Sequence, residues 1–172
     1  MLICITGKSG SGKNYIADFI MKLNPDCIHI DIDKLAHQAI EVPAIKDQLI
    51  EMFGTFNRKE IGDIVFNNRD KMKELVKLTW LPINDIIKDC ISSGKDVILN
   101  HILIHETDYW DKANIKILVE RPRLERLLSV MNRDCITEEK FNLRDSNSPN
   151  YFGVKLDYIV TNNTSSLEWQ KV

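Results

Sequence analysis

Charge of one sign, cysteine spacing, repeats and long apolar runs are all missing from this sequence of 172 residues. Lys+Arg 23 against Asp+Glu 25 leave a net charge of −2, mixed along the chain, so the electrostatic footprint of a nucleic-acid binder is absent. No apolar run approaches membrane-spanning length, and no charged stretch precedes an apolar core at the N-terminus. The chain is therefore expected to be soluble and cytoplasmic, with neither a nucleic-acid nor a membrane partner. Cys4, Cys27, Cys90 and Cys135 stand far apart without C-x-x-C spacing, which excludes a zinc ribbon or disulfide framework and points to reduced, mostly buried thiols. His29, His37, His101 and His105 show no metal-ligand spacing either. A hydrophobic content of 44% is enough for one packed domain over residues 1–172, with room for a small lid or helical arm.

What is present begins at the N-terminus. The apolar stretch Met1 to Thr6 runs straight into Gly7-Lys8-Ser9-Gly10-Ser11-Gly12-Lys13-Asn14. Strand, glycine-rich turn, Lys and helix together make a cradle for a nucleoside triphosphate: glycines let backbone N–H groups turn toward phosphate oxygens. The positive end of the following helix points at the same phosphates, and Lys13 can reach the β- and γ-phosphates as a point charge. The pattern G-x-x-x-x-G-K-[ST] holds at every fixed position but the last, where Asn14 replaces the hydroxyl that normally ligates Mg²⁺. Ile16, Phe19, Ile20 and Leu23 give the helix one apolar face.

Further along, the residues from Cys27 to Asp33 read as a second strand ending in carboxylates, and Lys34 to Glu41 and Ala44 to Phe53 as short helices broken near Pro43. Lys59 to Ser93 is helical by pattern, with a kink expected at Pro82 and a stop at Gly94. Asp96 to Ile104, Ile115 to Val119 and Asp157 to Thr161 supply three more strands, and Asn162-Asn163 is expected to turn out of the last. Leu124, Leu127, Leu128 and Met131 mark another amphipathic helix. The polar segment from Arg133 to Gly153 reads as a mobile lid or long loop. These five strands, separated mainly by helices, predict an α/β fold: a three-layer α/β/α sandwich on a five-stranded parallel sheet. Its active edge would carry the C-terminal strand ends, Gly7, Asp33, Asn100 and the turn after Val119 among them.

Asp33 is the strongest base candidate, because a carboxylate there can orient an acceptor hydroxyl for in-line attack on a γ-phosphate. Asp31 is expected on the same side of the strand, and either carboxylate could instead cap the helix that follows. Arg121, Arg123, Arg126, Arg133 and Arg144 gather around the lid. Positioned positive charge supplies much of the rate of phosphoryl transfer, and Arg133 and Arg144 are expected to act there. Arg121 and Arg123 read instead as a solvated helix face, since Glu120 and Glu125 interleave with them. Glu106, just past the third strand, can bind substrate or order the arginines. Trp80, Trp110 and Trp169 are expected to be core or subunit contacts.

These residues resemble the dephospho-coenzyme A kinase family from Met1 to about Gln170. Asp31-Ile32-Asp33-Lys34-Leu35-Ala36-His37 is similar to its D-x-D-x-x-A-[RH] segment. Phe53-Gly54, Phe66-Asn67-Asn68, Trp80-Leu81-Pro82-Ile83 and Ile102-Leu103-Ile104-His105-Glu106 look like its later signals, in order. Glu125-Arg126-Leu127, Arg133-Asp134, Thr137, Glu139 and Arg144 resemble the lid, and Asp157 to Asn162 the closing strand.

The resemblance implies a P-loop kinase that transfers the γ-phosphoryl group of ATP to the ribose 3′-hydroxyl of dephospho-coenzyme A, with ATP and Mg²⁺ as cofactors. Asp33 takes the base position and Lys13 that of the phosphate-loop lysine, with Arg133 and Arg144 in a lid at about 133–153. Ser9, Gly10, Ser11, Gly12, Lys13 and Asn14 would hold the phosphates, Asn162 would lie near the adenine, and Asp31, Asp33, His37 and Glu106 would meet the acceptor. A helical arm at about 55–94 would cover that acceptor. The assembly is expected to be a monomer or small homo-oligomer.

The departures fall on chemistry. Asn14 would hold Mg²⁺ weakly or through water, and Asn100 stands where many such kinases carry an acid. Leu81 replaces a His, Ile102 a Pro and Ser148 a Gln, and a last helix is expected to be cut short. Two other functions remain open at this point: a (deoxy)nucleoside monophosphate kinase, and a nucleotide-binding protein that has lost turnover. Against the former, the arm supplies only Arg58 and Arg69 for an acceptor phosphate.

Overall fold

The structure, a computed structural model, describes residues 1–66, 68–163 and 166–172, so Asn67 of the Phe66-Asn67-Asn68 segment lies outside the described residues. It divides into two compact units, Met1–Asp31 with Gly94–Val172, and Ile32–Ser93.

The first unit is built on a sheet. Strands β1 (Leu2–Thr6), β2 (Ile28–Asp31), β3 (Val97–Asn100), β4 (Ile115–Glu120), β5 (Tyr158–Asn163) and β6 (Ser166–Lys171) lie in the order β2-β3-β1-β4-β5-β6. β1 and β3 are buried along their whole length, which is why both read as continuous apolar runs and not as alternating ones. The first five strands pair in parallel. The expected five-stranded sheet gains a sixth, antiparallel member: β6 pairs with β5 from Ser166 opposite Asn163 to Lys171 opposite Tyr158. Residues expected to begin a last helix therefore form a strand. Trp169 on β6 sets its ring 6.4 Å from those of Phe19 and Tyr158. β5 likewise runs on through Asn162 and Asn163 instead of ending at Thr161.

Helix α1 (Lys13–Leu23) lays Ile16 and Ala17 on the core formed by Ile3, Ile5, Ile98, Ile117, Val119 and Val160. Helix α6 (Asp108–Lys112) buries Tyr109 and Trp110. The segment expected to be a loop is folded: α7 (Arg123–Asp134) extends into it, and α8 (Glu138–Ser146) occupies its centre. Thr137 caps α8 by accepting from the Lys140 N–H, and Phe141 packs with Leu127 and Val130 of α7 in a small core of its own. Burying those apolar side chains is what a polar composition concealed.

The second unit is helical: α2 (Ile32–Ala39), α3 (Pro43–Phe53), α4 (Arg58–Phe66) and α5 (Arg69–Ser92). It takes in α2 and α3 as well as the expected arm. Ala39, Ile40, Ile45, Leu49, Ile61 and Val65 form its core. Pro43 opens α3, where its missing N–H costs nothing. Asn68 caps α5 by accepting from the N–H groups of Asp70 and Lys71, and Pro82 lies inside that helix. The helix begins at Ile32, so Asp33 is not on a strand beside Asp31 but in the first turn of α2.

Candidate active site

The site grows from the end of β1. Gly7 has φ 148°, and a Cβ there would fall on the Val119 carbonyl oxygen, so the loop leaves the strand only by crowding β4. Gly12, at φ 95°, starts α1 and leaves no room for a side chain beside the Asn162 amide.

Three consecutive carbonyls of the loop are held from outside. Arg126 Nη1 donates to Ser9 O at 3.3 Å, Arg121 Nη1 to Gly10 O at 3.4 Å, and Asn162 Nδ2 to Ser11 O at 2.8 Å. These contacts fix the course of the loop, and the Ser11 N–H closes it by donating to Lys8 O at 3.1 Å. Lys13 folds back on the same loop, its Nζ donating to Gly7 O at 2.8 Å and Lys8 O at 3.5 Å.

Arg126 is the hub of this arrangement. Although charged, it is only 6% exposed. Its guanidinium donates to both carboxylate oxygens of Asp145 on α8, at 2.6 and 3.3 Å, and its Nε to Arg121 O at 3.3 Å. The Phe141 ring lies 5.8 Å away. Hydrogen bonding and charge from Arg126 hold the Asp145 carboxyl below its ordinary pKa against the opposing effect of burial. Arg126 was legible as part of the arginine group, but its role was missed, because neither its burial nor its contact with Ser9 leaves a local sequence signal.

The two arginines assigned to the lid converge on one carboxylate. Arg133 donates to Asp134 at 2.7 and 3.1 Å, Arg144 donates to it at 3.0 Å, and Arg133 Nη2 also reaches Ser9 Oγ at 3.4 Å. Hydrogen bonds from Arg133 lead the causes that lower the Asp134 pKa. Arg121 corrects the expectation of a solvated face: it bonds the loop, Glu125 and Ser129. Arg123 is half-exposed and pairs with Asp145 at 3.5 Å, as a surface position would.

An open pocket of about 460 Å³ is lined by Lys8, Ser11, Arg121, Arg126, Tyr151 and Thr161 among others. The Ser11 hydroxyl is buried without a hydrogen-bond partner. Tyr151 donates to Ile102 O at 3.0 Å, as does Thr6 from the end of β1, and burial pushes the phenol up to about 12. Glu106 lies in a 3₁₀ turn after β3, exposed, 3.8 Å from the His105 imidazole.

Asn14 lies in an unforeseen side-chain network. Its Nδ2 donates to Asp31 Oδ2 at 2.7 Å, and its Oδ1 accepts from Asn100 Nδ2 at 2.5 Å. Asn100 Nδ2 also lies 2.8 Å from His29 Nε2, and Asn100 Oδ1 is buried without a partner. Asp33 and His37 both lie on α2, in its first and last turns, within the helical unit. Asn162, expected near an adenine, uses its amide on the loop itself.

A mostly parallel sheet whose inner strand passes through a glycine loop into a lysine-headed helix defines a P-loop nucleotide-binding protein. The comparisons narrow that class. The chain belongs to the dephospho-CoA kinase family, whose model, CoaE: Dephospho-CoA kinase, matches residues 1–168. A dephospho-CoA kinase of Leptospira interrogans is 31% identical over 158 residues, covering 85% of this chain and 75% of that protein. One from Dehalococcoides mccartyi is 24% identical over 181 residues, covering 97% and 90%. Among solved structures, a Thermus thermophilus protein superposes with a TM-score of 0.76 at 22% identity, over 96% of this chain and 90% of that one. Dephospho-CoA kinase from Campylobacter jejuni gives 0.54 at 21%, over 95% and 88%. Both structures support the fold. Among the described residues no helix is long and apolar enough to cross a membrane.

Proposed function

We infer that this chain transfers the γ-phosphoryl group of ATP to the ribose 3′-hydroxyl of dephospho-coenzyme A, giving coenzyme A and ADP. The observation that carries this is the phosphate loop with its three externally held carbonyls, in a chain of this family. Ser9, Gly10, Ser11, Gly12 and Asn14 line the phosphate path, and Lys13 exchanges its two carbonyl contacts for β- and γ-phosphate oxygens. Arg133 and Arg144, now on Asp134, supply charge to the transferring group. Asp33 accepts the proton of the acceptor hydroxyl as it attacks, and Asp31, His37 and Glu106 serve the acceptor side.

Mg²⁺ fits the residues present. The Asp31 carboxylate is a hard donor of the kind it takes beside phosphates and water, and the buried, unpartnered Asn100 oxygen beside it leaves polar capacity for a bound water, while the Asn14 amide oxygen already accepts from Asn100. Held by Asp31, such an ion would supply positive charge against the negative charge that develops on the phosphates.

The test is ADP release with ATP and Mg²⁺, with dephospho-coenzyme A, thymidylate and deoxyguanylate offered as acceptors in turn. Release with dephospho-coenzyme A alone supports the assignment. Release driven by either nucleotide monophosphate, or none with any acceptor, overturns it.

A further inference from the structure

Asn14, which stands where the loop pattern has a hydroxyl, is bonded to Asn100 at the end of β3. Asn100 ends β3 and is the register partner of Asp31, which ends β2. The Asn14 side chain bridges them, donating to Asp31 Oδ2 and accepting from Asn100 Nδ2. The other Asn100 N–H points at His29 Nε2, two residues before Asp31 on the same face of β2.

Neither replacement fits the site alone. A carboxylate at position 100 would face the Asn14 oxygen and stand beside Asp31, two repulsive contacts. A hydroxyl at position 14 is too short to bridge, and would leave a buried Asn100 N–H without its partner. With both changed together, the hydroxyl can donate to the new carboxylate, which relieves the first repulsive contact, while that with Asp31 stays.

The orientation also separates donor from acceptor. Asn14 turns its N–H₂ toward Asp31 and its oxygen toward Asn100. The oxygen that could take over from the usual hydroxyl is thus directed to the sheet, and the charged oxygens beside the start of α1 belong to Asp31.

We propose that Asn14 and Asn100 act as one positioning unit that fixes the Asp31 carboxylate, and that Asp31 supplies the protein's oxygen to the divalent cation that accompanies the nucleotide. The proposal rests on the ATP-binding assignment above. Asp31 becomes the metal-binding residue, and Asn14 and Asn100 act through it.

Electron paramagnetic resonance of Mn²⁺ in the presence of a non-hydrolysable ATP analogue tests this on the full chain, with analogue affinity measured in parallel without metal. Asp31→Asn should weaken Mn²⁺ by about tenfold or more, with metal-free analogue affinity unchanged. Asn14→Ser and Asn100→Asp should each weaken Mn²⁺, and because both act through the one Asp31 carboxylate the N14S/N100D double variant should lose less than the product of the two single losses. Mn²⁺ affinity within twofold of wild type in D31N overturns the proposal, as does a double variant whose loss is the product of the two single losses. D31N, altered at the strand end and not in the core, decides alone should N100D fail to fold. If wild type binds no analogue with or without metal, the ATP assignment itself fails and this proposal falls with it. Analogue binding with an unresponsive D31N rejects this proposal only.

Discussion

Arg126 Nη1 lies 2.6 Å from Asp145 Oδ1, and the same nitrogen donates to Ser9 O, so one buried guanidinium joins α8 to the phosphate loop. Asp145→Asn would leave that charge without its counterion. Removing one partner of a buried pair costs about 3 kcal/mol or more, readable by urea unfolding at neutral pH. The pH dependence follows from the depressed carboxyl pKa of Asp145. The stabilisation is complete above the unfolded value of about 3.9, and is lost as pH falls through the lower folded value. The curves for wild type and D145N should therefore converge in strong acid and separate toward neutrality.

Arg126→Lys keeps the charge but not the planar fork, and cannot serve Asp145, Ser9 O and Arg121 O together. With the loop less firmly held, KM for ATP should rise by about tenfold, equivalent to about 1.4 kcal/mol, with a smaller change in KM for the acceptor. Steady-state kinetics with each substrate varied in turn reads the difference.

Gly12→Ala places a Cβ on the Asn162 amide and forces a non-glycine residue to φ 95°. The strain is about 1–2 kcal/mol, and the contact adds to it. In the G12A/N162A double variant the contact is relieved and the strain is not. Its loss of ATP affinity, measured by calorimetry, should be smaller than the sum of the two single losses.

The loop was legible because every part of it is local: strand, glycines and Lys13 all lie within 13 residues. The apolar face of α1 was read only in part, since Ile16 and Ile20 meet the core while Phe19 and Leu23 are exposed. The parallel core was legible for a similar reason, since strands buried on both faces read as apolar runs. What escaped depends on distant partners. Arg126 looks like any helix-surface arginine until Asp145 and Ser9 are brought to it. Asn14 and Asn100 read as two separate losses, and only the packing of α1 against β2 and β3 makes them one contact. In α8 a single Phe141 carries the burial, too little for an apolar periodicity. β6 did leave a signal, the alternation of Leu167 and Trp169 with polar residues, but the family likeness favoured a helix there.

Asp33→Asn removes the group proposed to take the acceptor proton while leaving the loop intact. Turnover should fall on the order of a hundredfold or more, with ATP affinity within twofold of wild type. Equal losses in both would assign Asp33 to binding.

The central claim is transfer to a ribose hydroxyl, and the position of a labelled phosphate tests it most directly. A single turnover with γ-³²P-labelled ATP and dephospho-coenzyme A should place the label on the ribose 3′-oxygen, in a product identical to coenzyme A. Label found only in inorganic phosphate, or on an existing phosphate of the acceptor, would contradict it.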